Sequence, residues 1–447
     1  MIVSHSKECE QNKAVVDILL PFNLQKQEKN MANSLFVDDL EALLKSDKKI
    51  KAVSALEYSK NDEDIISTGL LPLDINLGGG VTRGSVISIY GPASHGKSTL
   101  SDSIVVSWLN SNPNALVYRV ESEKCMDTTR LERMGADLKR IKVLVKEKSL
   151  ILEECFEQIE AFQDLVYNKW GDKVPLLIVW DTISAAVAKT EAEGEKFAGG
   201  MMMSARIITQ GLKKLNANCA NYRHSCILIQ QVMSDGKDRM GNALYKTSDI
   251  QALKHVPSVI MEMRRSSARD RQIYNPNSAN PKEPEVIGSE VDIKIRKNKI
   301  TGLDSRAVSA VMMMTSGFSK LDSLVLYATD SGVCSSHFQS SGAWIQIYDH
   351  KGAEYKKVNG KAKLAEELKT NPYLIKLVEY CGYKYFANQD PLYAAKYKER
   401  LDKLTEELDK LYNDKNSVEV NLDELGDLNI SEDWGKDSST TVFAEDK

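Results

Sequence analysis

The stretch Gly91-Pro92-Ala93-Ser94-His95-Gly96-Lys97-Ser98 constrains this chain more than any other. It follows an apolar, β-rich run at 85–90 and opens a segment of helical character near Lys97. In that context the pattern G-x-x-x-x-G-K-[ST] has a mechanical meaning. The glycines let the backbone curl until successive N–H groups point inward at a β-phosphate, which also meets the positive end of the following helix. Lys97 then neutralises β- and γ-phosphate charge, and the Ser98 hydroxyl reaches Mg2+. The expectation is a nucleotide site, with a buried strand before the loop and a helix after it.

From Ile65 to about Gly317 the pattern answers that demand. Runs at 85–90, 115–120, 141–145, 176–180 and 226–230 read as buried strands, and helical segments start near Lys97, Asp127, Ser149 and Gly200. Strand and helix alternating at this spacing predict a parallel sheet covered on both faces. Runs at 259–263, 291–296 and 307–314 lack long intervening helices and read as strands added at a sheet edge, with a turn-rich excursion at 275–284. Beyond Ser316, helical segments at 320–327 and 362–370 flank a β-rich run at 343–348, which predicts a small α+β domain. Leu401, Leu404, Leu408 and Leu411 make an amphipathic helix too short for a coiled coil, so a docked surface helix is expected.

The ends read differently. Leu35, Phe36, Leu40, Leu43 and Leu44 recur near the helical period within 33–46, so one amphipathic helix there needs a partner for its apolar face. A cleaner segment begins at Met31, and a start at that residue, with 1–30 dispensable, is an expectation for an intact-mass measurement. The chain carries −4 overall, and 421–447 hold eight acids against two lysines, so the rest is net positive by two. Such a tail is a solvated terminus or a polyanion mimic competing for a basic groove. The expected division is 1–64 extension and oligomerisation helix, 65–317 nucleotide-binding core, 318–415 C-terminal α+β domain, and 416–447 acidic tail.

Composition excludes several classes. The longest apolar run, 174–180, is far below the ~20 residues that cross a bilayer, and no basic segment with an apolar core opens the chain, so a cytoplasmic location is expected. Seven cysteines stand scattered with no C-x-x-C pair, which argues for reduced thiols and against a structural zinc.

A phosphate loop needs a second Mg2+ anchor, ordinarily an acid ending a neighbouring strand. Asp181 follows Leu177-Ile178-Val179-Trp180 and fits that role, though a carboxylate there also suits a plain helix cap. Hydrolysis requires a group to orient or deprotonate water; Glu121 and Glu123 stand where the 115–120 strand ends, and alone they signify nothing.

Taken in order, these residues resemble the bacterial RecA recombinase family. The likeness runs through Ile66-Ser67-Thr68-Gly69, Leu73-Asp74, Gly84 to Leu100, Glu123, Asp127, Met134 to Asp137, Asp181, Glu193 to Glu195, Arg206, Gln210, Lys214-Leu215, Gln231, Ala252 to Lys254, Val286 to Glu290, Lys297 to Ile300 and Gly342 to Trp344. It covers roughly 65–380, and the acidic tail and divergent body are also similar to UvsX, a phage member. The resemblance implies an α/β, RecA-like P-loop ATPase core with a mainly parallel sheet, an N-terminal oligomerisation helix and a small C-terminal domain. It implies ATP and Mg2+ as cofactors, held by Gly91 through Thr99 with Asp127 and Arg130 nearby and with Ser98 and Asp181 on the metal. Glu123 matches the glutamate that activates water, Gln231 the glutamine that senses the γ-phosphate, and Lys297 and Lys299 the pair that reaches the nucleotide of an adjacent subunit. Without the resemblance those two lysines read as solvated strand charges.

Two loops would face DNA: 192–199, and 233–250 with Lys237, Arg239, Met240, Tyr245 and Lys246. A loop of the second length is uncommon in a compact domain unless it is functional. Arg206 and Lys213 match or neighbour positions that touch the DNA backbone, whereas the run Arg264, Arg265, Arg269 and Arg271 suits a soluble strand end. The sequence departs from the family at His95, usually a small serine, at Arg130, usually an aromatic that stacks on adenine, and at His255, usually an aromatic that links subunits. The resemblance implies an ATP-dependent DNA recombinase that forms a filament on single-stranded DNA and pairs it with a homologous duplex. Its partners would be both forms of DNA and further copies of itself, with room for a single-strand-binding protein and a loader. The rivals are a ring helicase with the same core and a non-catalytic mediator.

Overall fold

Alternating burial builds the central sheet. In the run Leu176 to Trp180, Leu177 and Val179 face one apolar cluster with Leu100, Ile104 and Trp108, while Leu176, Ile178 and Trp180 face another with Cys155, Ile159, Leu212 and Leu215. A strand buried on both faces must be apolar at every position, and that is the parallel-sheet signature in this stretch.

The computed structural model describes residues 65–413 apart from 124–125, 145–149, 194–199, 238–242, 247, 276, 279–281, 303 and 390. The amphipathic segment 33–46, most of the first expected DNA loop and the acidic tail therefore lie outside the described residues. In chain order the strands are β1 (Ile65–Ile66), β2 (Val81–Thr82), β3 (Val86–Gly91), β4 (Leu116–Glu121), β5 (Ile141–Leu144), β6 (Leu176–Asp181), β7 (Ser225–Gln231), β8 (Met233–Lys237) and β9 (Ala243–Lys246). They continue with β10 (Val259–Arg265), β11 (Gln272–Tyr274), β12 (Val286–Asn298), β13 (Arg306–Met313), β14 (Gly317–Ser319), β15 (Phe338–Ser341), β16 (Trp344–Tyr348) and β17 (Glu354–Asn359). The large sheet has the order β14-β13-β12-β10-β3-β7-β6-β4-β5, with β11 beside β12. From β10 to β5 all neighbours are parallel, and β12, β13 and β14 extend the sheet antiparallel.

Two expectations change. The 259–263 run is no edge addition: β10 lies inside the sheet, parallel to β3 and directly beside it. Between β7 and β10 the described residues hold β8, β9 and one short helix, Gln251–His255, and the segment is long enough to cross over and return in the same direction. The 233–250 stretch is not an irregular loop, because β8 and β9 pair as an antiparallel ribbon in which Met233 faces Lys246 and Lys237 faces Ala243. Gly236 supplies a left-handed φ of 89° within that ribbon.

After the sheet, helix Lys320–Asp330 and the antiparallel trio β15-β16-β17 pack with helices Gly360–Thr370, Pro372–Ala387 and Pro391–Asn413 around Leu324, Phe338, Ile347, Leu364, Leu377 and Leu408. Leu71 and Ile75 of helix Leu71–Leu77 join that cluster. Leu404 and Leu408 are buried, with Leu401 and Leu411 packed partly against them, so the terminal helix docks through the expected stripe. Two arginines of the run form ion pairs within the fold: Arg264 with Glu262, and Arg271 with Glu290 and Asp292. Among the described residues no helix is long and apolar enough to cross a membrane.

His224 sits between helix Gly200–Tyr222 and β7, fully buried, with no hydrogen-bond partner on either ring nitrogen. Burial, with a smaller contribution from Arg83, lowers its pKa from 6.5 to about 4. The unfolded chain therefore binds a proton that the folded chain refuses between those values, so stability is full above 6.5 and falls as pH drops toward 4. The loss attributable to this side chain is about 3 kcal/mol. His224→Phe is expected to narrow the difference in melting temperature between pH 7 and pH 4.5 by several degrees; an unchanged difference would rule out the imidazole as a source of the acid sensitivity.

Candidate active site

Four parallel strands end at the same edge of the sheet in two level pairs, β3 and β7 running two residues beyond β4 and β6. Register puts Gly91 of β3 opposite Gln231 of β7, and Glu121 of β4 opposite Asp181 of β6. Ligands of open α/β sheets bind beyond the carboxyl ends of such strands; the loop, Glu123, Asp181 and Gln231 are gathered there, whereas Lys297 and Lys299 lie at the opposite end, beside the start of β10.

The loop leaves β3 at Gly91 and enters helix Lys97–Ser111 at Gly96, which takes a left-handed φ of 86°. A Cβ on Gly96 would lie 2.6 Å from the Met312 sulfur, so the position demands glycine twice over. Ser94 also holds a left-handed φ, 62°, uncommon for a residue with a side chain. No side chain caps the helix, which leaves its first-turn N–H groups for an anion. Ala93 and Ser94 are exposed, whereas Lys97 and Thr99 are buried and Pro92, His95 and Ser98 half-buried. The Lys97 ammonium donates to the Pro92 carbonyl at 2.7 Å, so it lies folded across the loop. Burial pushes its pKa down, against the pull of Asp181 and Glu123. His95 Nδ1 lies 2.8 Å from the Ala93 carbonyl. Burial lowers its pKa, Lys97, Arg265 and Arg264 add to that, and the Ala93 contact opposes it. Uncapped N–H donors, a lysine, a serine hydroxyl and a strand-end carboxylate form a donor set that suits Mg2+ with a nucleotide polyphosphate.

Asp181 ends β6 at the level of Glu121, and it is Thr182, not Asp181, that caps the following turn by accepting from the Ser184 N–H. That removes the plain helix-cap reading of Asp181. Its Oδ2 accepts from Arg119 Nη2 at 3.2 Å. Arg119, inside β4 and 2% exposed, also donates from Nη1 to Asp102 Oδ1 at 2.6 Å and from Nε to Glu121 Oε2 at 2.9 Å. Burial alone would lower its pKa, but Asp102, Glu121 and Asp181 outweigh that and raise it. Arg130 donates to the second oxygen of Asp102 at 2.5 Å, so its guanidinium is held by a buried carboxylate instead of standing free as a stacking plane. Asp127 caps helix Thr128–Arg133 by accepting from the Arg130 N–H at 2.9 Å, which spends one of its oxygens on the fold.

Glu123, just past β4, accepts from Gln231 Nε2 at 2.5 Å, and both side chains are exposed. Lys297 donates to the carbonyls of Lys254 and His255 at 2.8 and 2.9 Å, and Lys299 to His255 at 3.0 Å. The two cations thus sit on the carbonyl end of helix Gln251–His255. Burial, followed by the proximity of Lys299, lowers the pKa of Lys297 to about 8. Arg206 and Lys213 are exposed seven residues apart on helix Gly200–Tyr222, hence on one face. Lys237 lies on β8 and Tyr245 and Lys246 on β9, while Arg239 and Met240 lie outside the described residues.

Arg119 and Asp102 escaped the sequence reading. Their signal was a pair of opposite charges at positions that periodicity assigns to the core: an arginine inside L-V-Y-R-V-E and an aspartate one turn after Ser98.

The RecA N-terminal domain family model matches residues 40–319. Protein RecA of Methylococcus capsulatus is 31% identical over 319 residues, covering 71% of this chain and 82% of that protein. Protein RecA of Ectopseudomonas oleovorans is 30% identical over 291 residues, 65% of this chain and 75% of the relative, and that of Fusobacterium nucleatum 29% over 329 residues, 72% and 77%. The family match ends at Ser319, the last residue of the last strand in the large sheet, so it takes in the loop, the strand ends and the paired lysines together. On that span and that similarity, the chain belongs to the RecA family.

Proposed function

We propose that this chain is an ATP-dependent DNA recombinase that polymerises on single-stranded DNA, pairs it with a homologous duplex and exchanges strands. The observation that carries the reading is the Glu123–Gln231 hydrogen bond, because Gln231 is followed after one residue by the β8–β9 ribbon. A side chain that chooses between Glu123 and a γ-phosphate moves at the root of that ribbon, so nucleotide state and grip on DNA share one lever.

Mg2+ would neutralise charge that develops on the phosphates during transfer to water. The chain's part is arrangement. The loop from Gly91 to Thr99 cradles phosphate through its N–H groups, and Lys97 leaves the Pro92 carbonyl to reach the β- and γ-oxygens. Ser98 and Asp181 would hold the metal. Asp127 and Arg130 border the base. Glu123, released from Gln231, orients water and takes its proton. Lys297 and Lys299 leave the helix carbonyls for the nucleotide of a neighbouring copy, so hydrolysis depends on assembly. Repeating that head-to-tail contact without closure gives a helical filament, with the N-terminal segment docked on the next copy. Arg206, Lys213, Lys237, Arg239 and Lys246 contact phosphates without reading sequence, and Met240 and Tyr245 wedge or stack against bases. Homology is tested by base pairing itself. The division at 64, 317 and 415, a cytoplasmic location, and partnership with a single-strand-binding protein and a loader belong to the same reading.

Electron microscopy with ATP and single-stranded DNA tests the proposal: extended filaments are expected, and discrete hexamers would point to a ring motor. Lys97→Ala is expected to abolish joint-molecule formation between a single strand and a homologous duplex. Glu123→Gln is expected to slow DNA-stimulated ATP turnover by at least ~100-fold while nucleotide binding persists; unchanged turnover would remove Glu123 from its role. Lys297→Ala with Lys299→Ala is expected to leave nucleotide binding by dilute, unassembled protein intact yet depress turnover on DNA, which paired binding and hydrolysis assays would separate.

A further inference from the structure

A guanidinium buried to 2% exposure is costly unless its nitrogens are matched, and each of the three in Arg119 bonds a carboxylate, the three acids coming from three elements. Asp102 lies one turn beyond Ser98 on the helix that follows the phosphate loop, four residues along and on the same face. Asp181 ends β6, and Glu121 ends the strand that carries Arg119 itself. Ser98 and Asp181, the two side chains read above as metal ligands, thus stand on separate elements, and the bonds Asp102–Arg119–Asp181 span the gap between them. Asp102 is held on its far side as well, by Arg130. Asp181 is gripped by Oδ2 alone, and Oδ1 has no bond from a described residue.

We infer that Arg119 is the positioning residue of the metal–nucleotide site: it sets the separation of the Ser98 helix from the Asp181 strand and fixes which carboxylate oxygen of Asp181 is offered. The inference rests on the nucleotide-site reading above and adds a residue to it. An outer partner that orients a ligand characteristically changes metal affinity by 10–100-fold when removed. A side chain that merely fills the core would alter stability and leave the metal dependence untouched.

The test compares nucleotide affinity with and without Mg2+, using a slowly hydrolysed ATP analogue and isothermal titration. In Arg119→Met the Mg2+-dependent gain is expected to fall by about tenfold or more, with the metal-free affinity within about threefold of wild type. Asp181→Asn is expected to lose the same gain, and the two changes together no more than either alone, since both act on one carboxylate. Because a lone Arg119→Met leaves Asp102 and Glu121 buried without that partner, Asp102→Leu and Glu121→Gln are combined with Arg119→Met to remove the buried charges together; the triple variant is expected to melt within a few degrees of wild type and still lack the gain. Arg119→Lys, with a single point charge in place of the fork, is expected to fall between wild type and Arg119→Met. Retention of the full gain in Arg119→Lys and in any folded Arg119→Met protein, while Asp181→Asn loses it, would overturn the inference and leave the nucleotide site standing. A wild-type chain whose nucleotide affinity ignores Mg2+ would instead remove the site reading, and the inference with it.

Discussion

Hydrogen bonding between parallel neighbours brings Gly91 level with Gln231 and Glu121 level with Asp181, and the rest of the site depends on that register. A slip of one residue along any of these strands would turn its alternate side chains to the opposite apolar cluster, so the packing of Leu177 and Val179 against one layer and Ile178 and Trp180 against the other pins the chemistry at the strand ends. Core packing and site geometry are one constraint here. The strand tips are polar where they emerge from a body packed mainly with apolar side chains.

Arg119 is the exception that the body tolerates. Three acids and a guanidinium share the interior beneath the loop, and the network extends through Asp102 to Arg130. Such a cluster adds little net stability over a well-packed apolar one, since desolvation offsets most of the attraction, but it is directional where an apolar contact is not. Directionality is what a metal-binding carboxylate needs. The paired lysines follow a similar logic at the surface: the carbonyls of Lys254 and His255 hold the two ammonium groups side by side.

Much of the fold was legible in the residue order. The loop, its flanking strand and helix, the alternation through β7, and the small C-terminal layer follow from periods of two and 3.6 and from glycine at turns. The place of β10 did not follow, because an apolar run with only a short helix before it is compatible with either an edge or an inner seat. The pairing of β8 with β9 was hidden by polar, glycine-containing sequence that propensity assigns to a loop. At the site, Lys97 and Asp181 were found by motif and strand-end position and Glu123 and Gln231 through the family resemblance, whereas Arg119 and Asp102 stand at core positions and show their partners only in the folded chain.

By itself the amino-acid order determined that a phosphate loop would join a two-sided apolar strand to a helix and that acids would stand where neighbouring strands end, since these are local patterns with local causes. Only the tertiary structure decided which of those ends lie level, that Arg130 would bind a carboxylate, and that one arginine would hold three acids from three elements. Those outcomes depend on contacts between residues far apart in the chain, where the environment of a charge, and not its identity, fixes what it does.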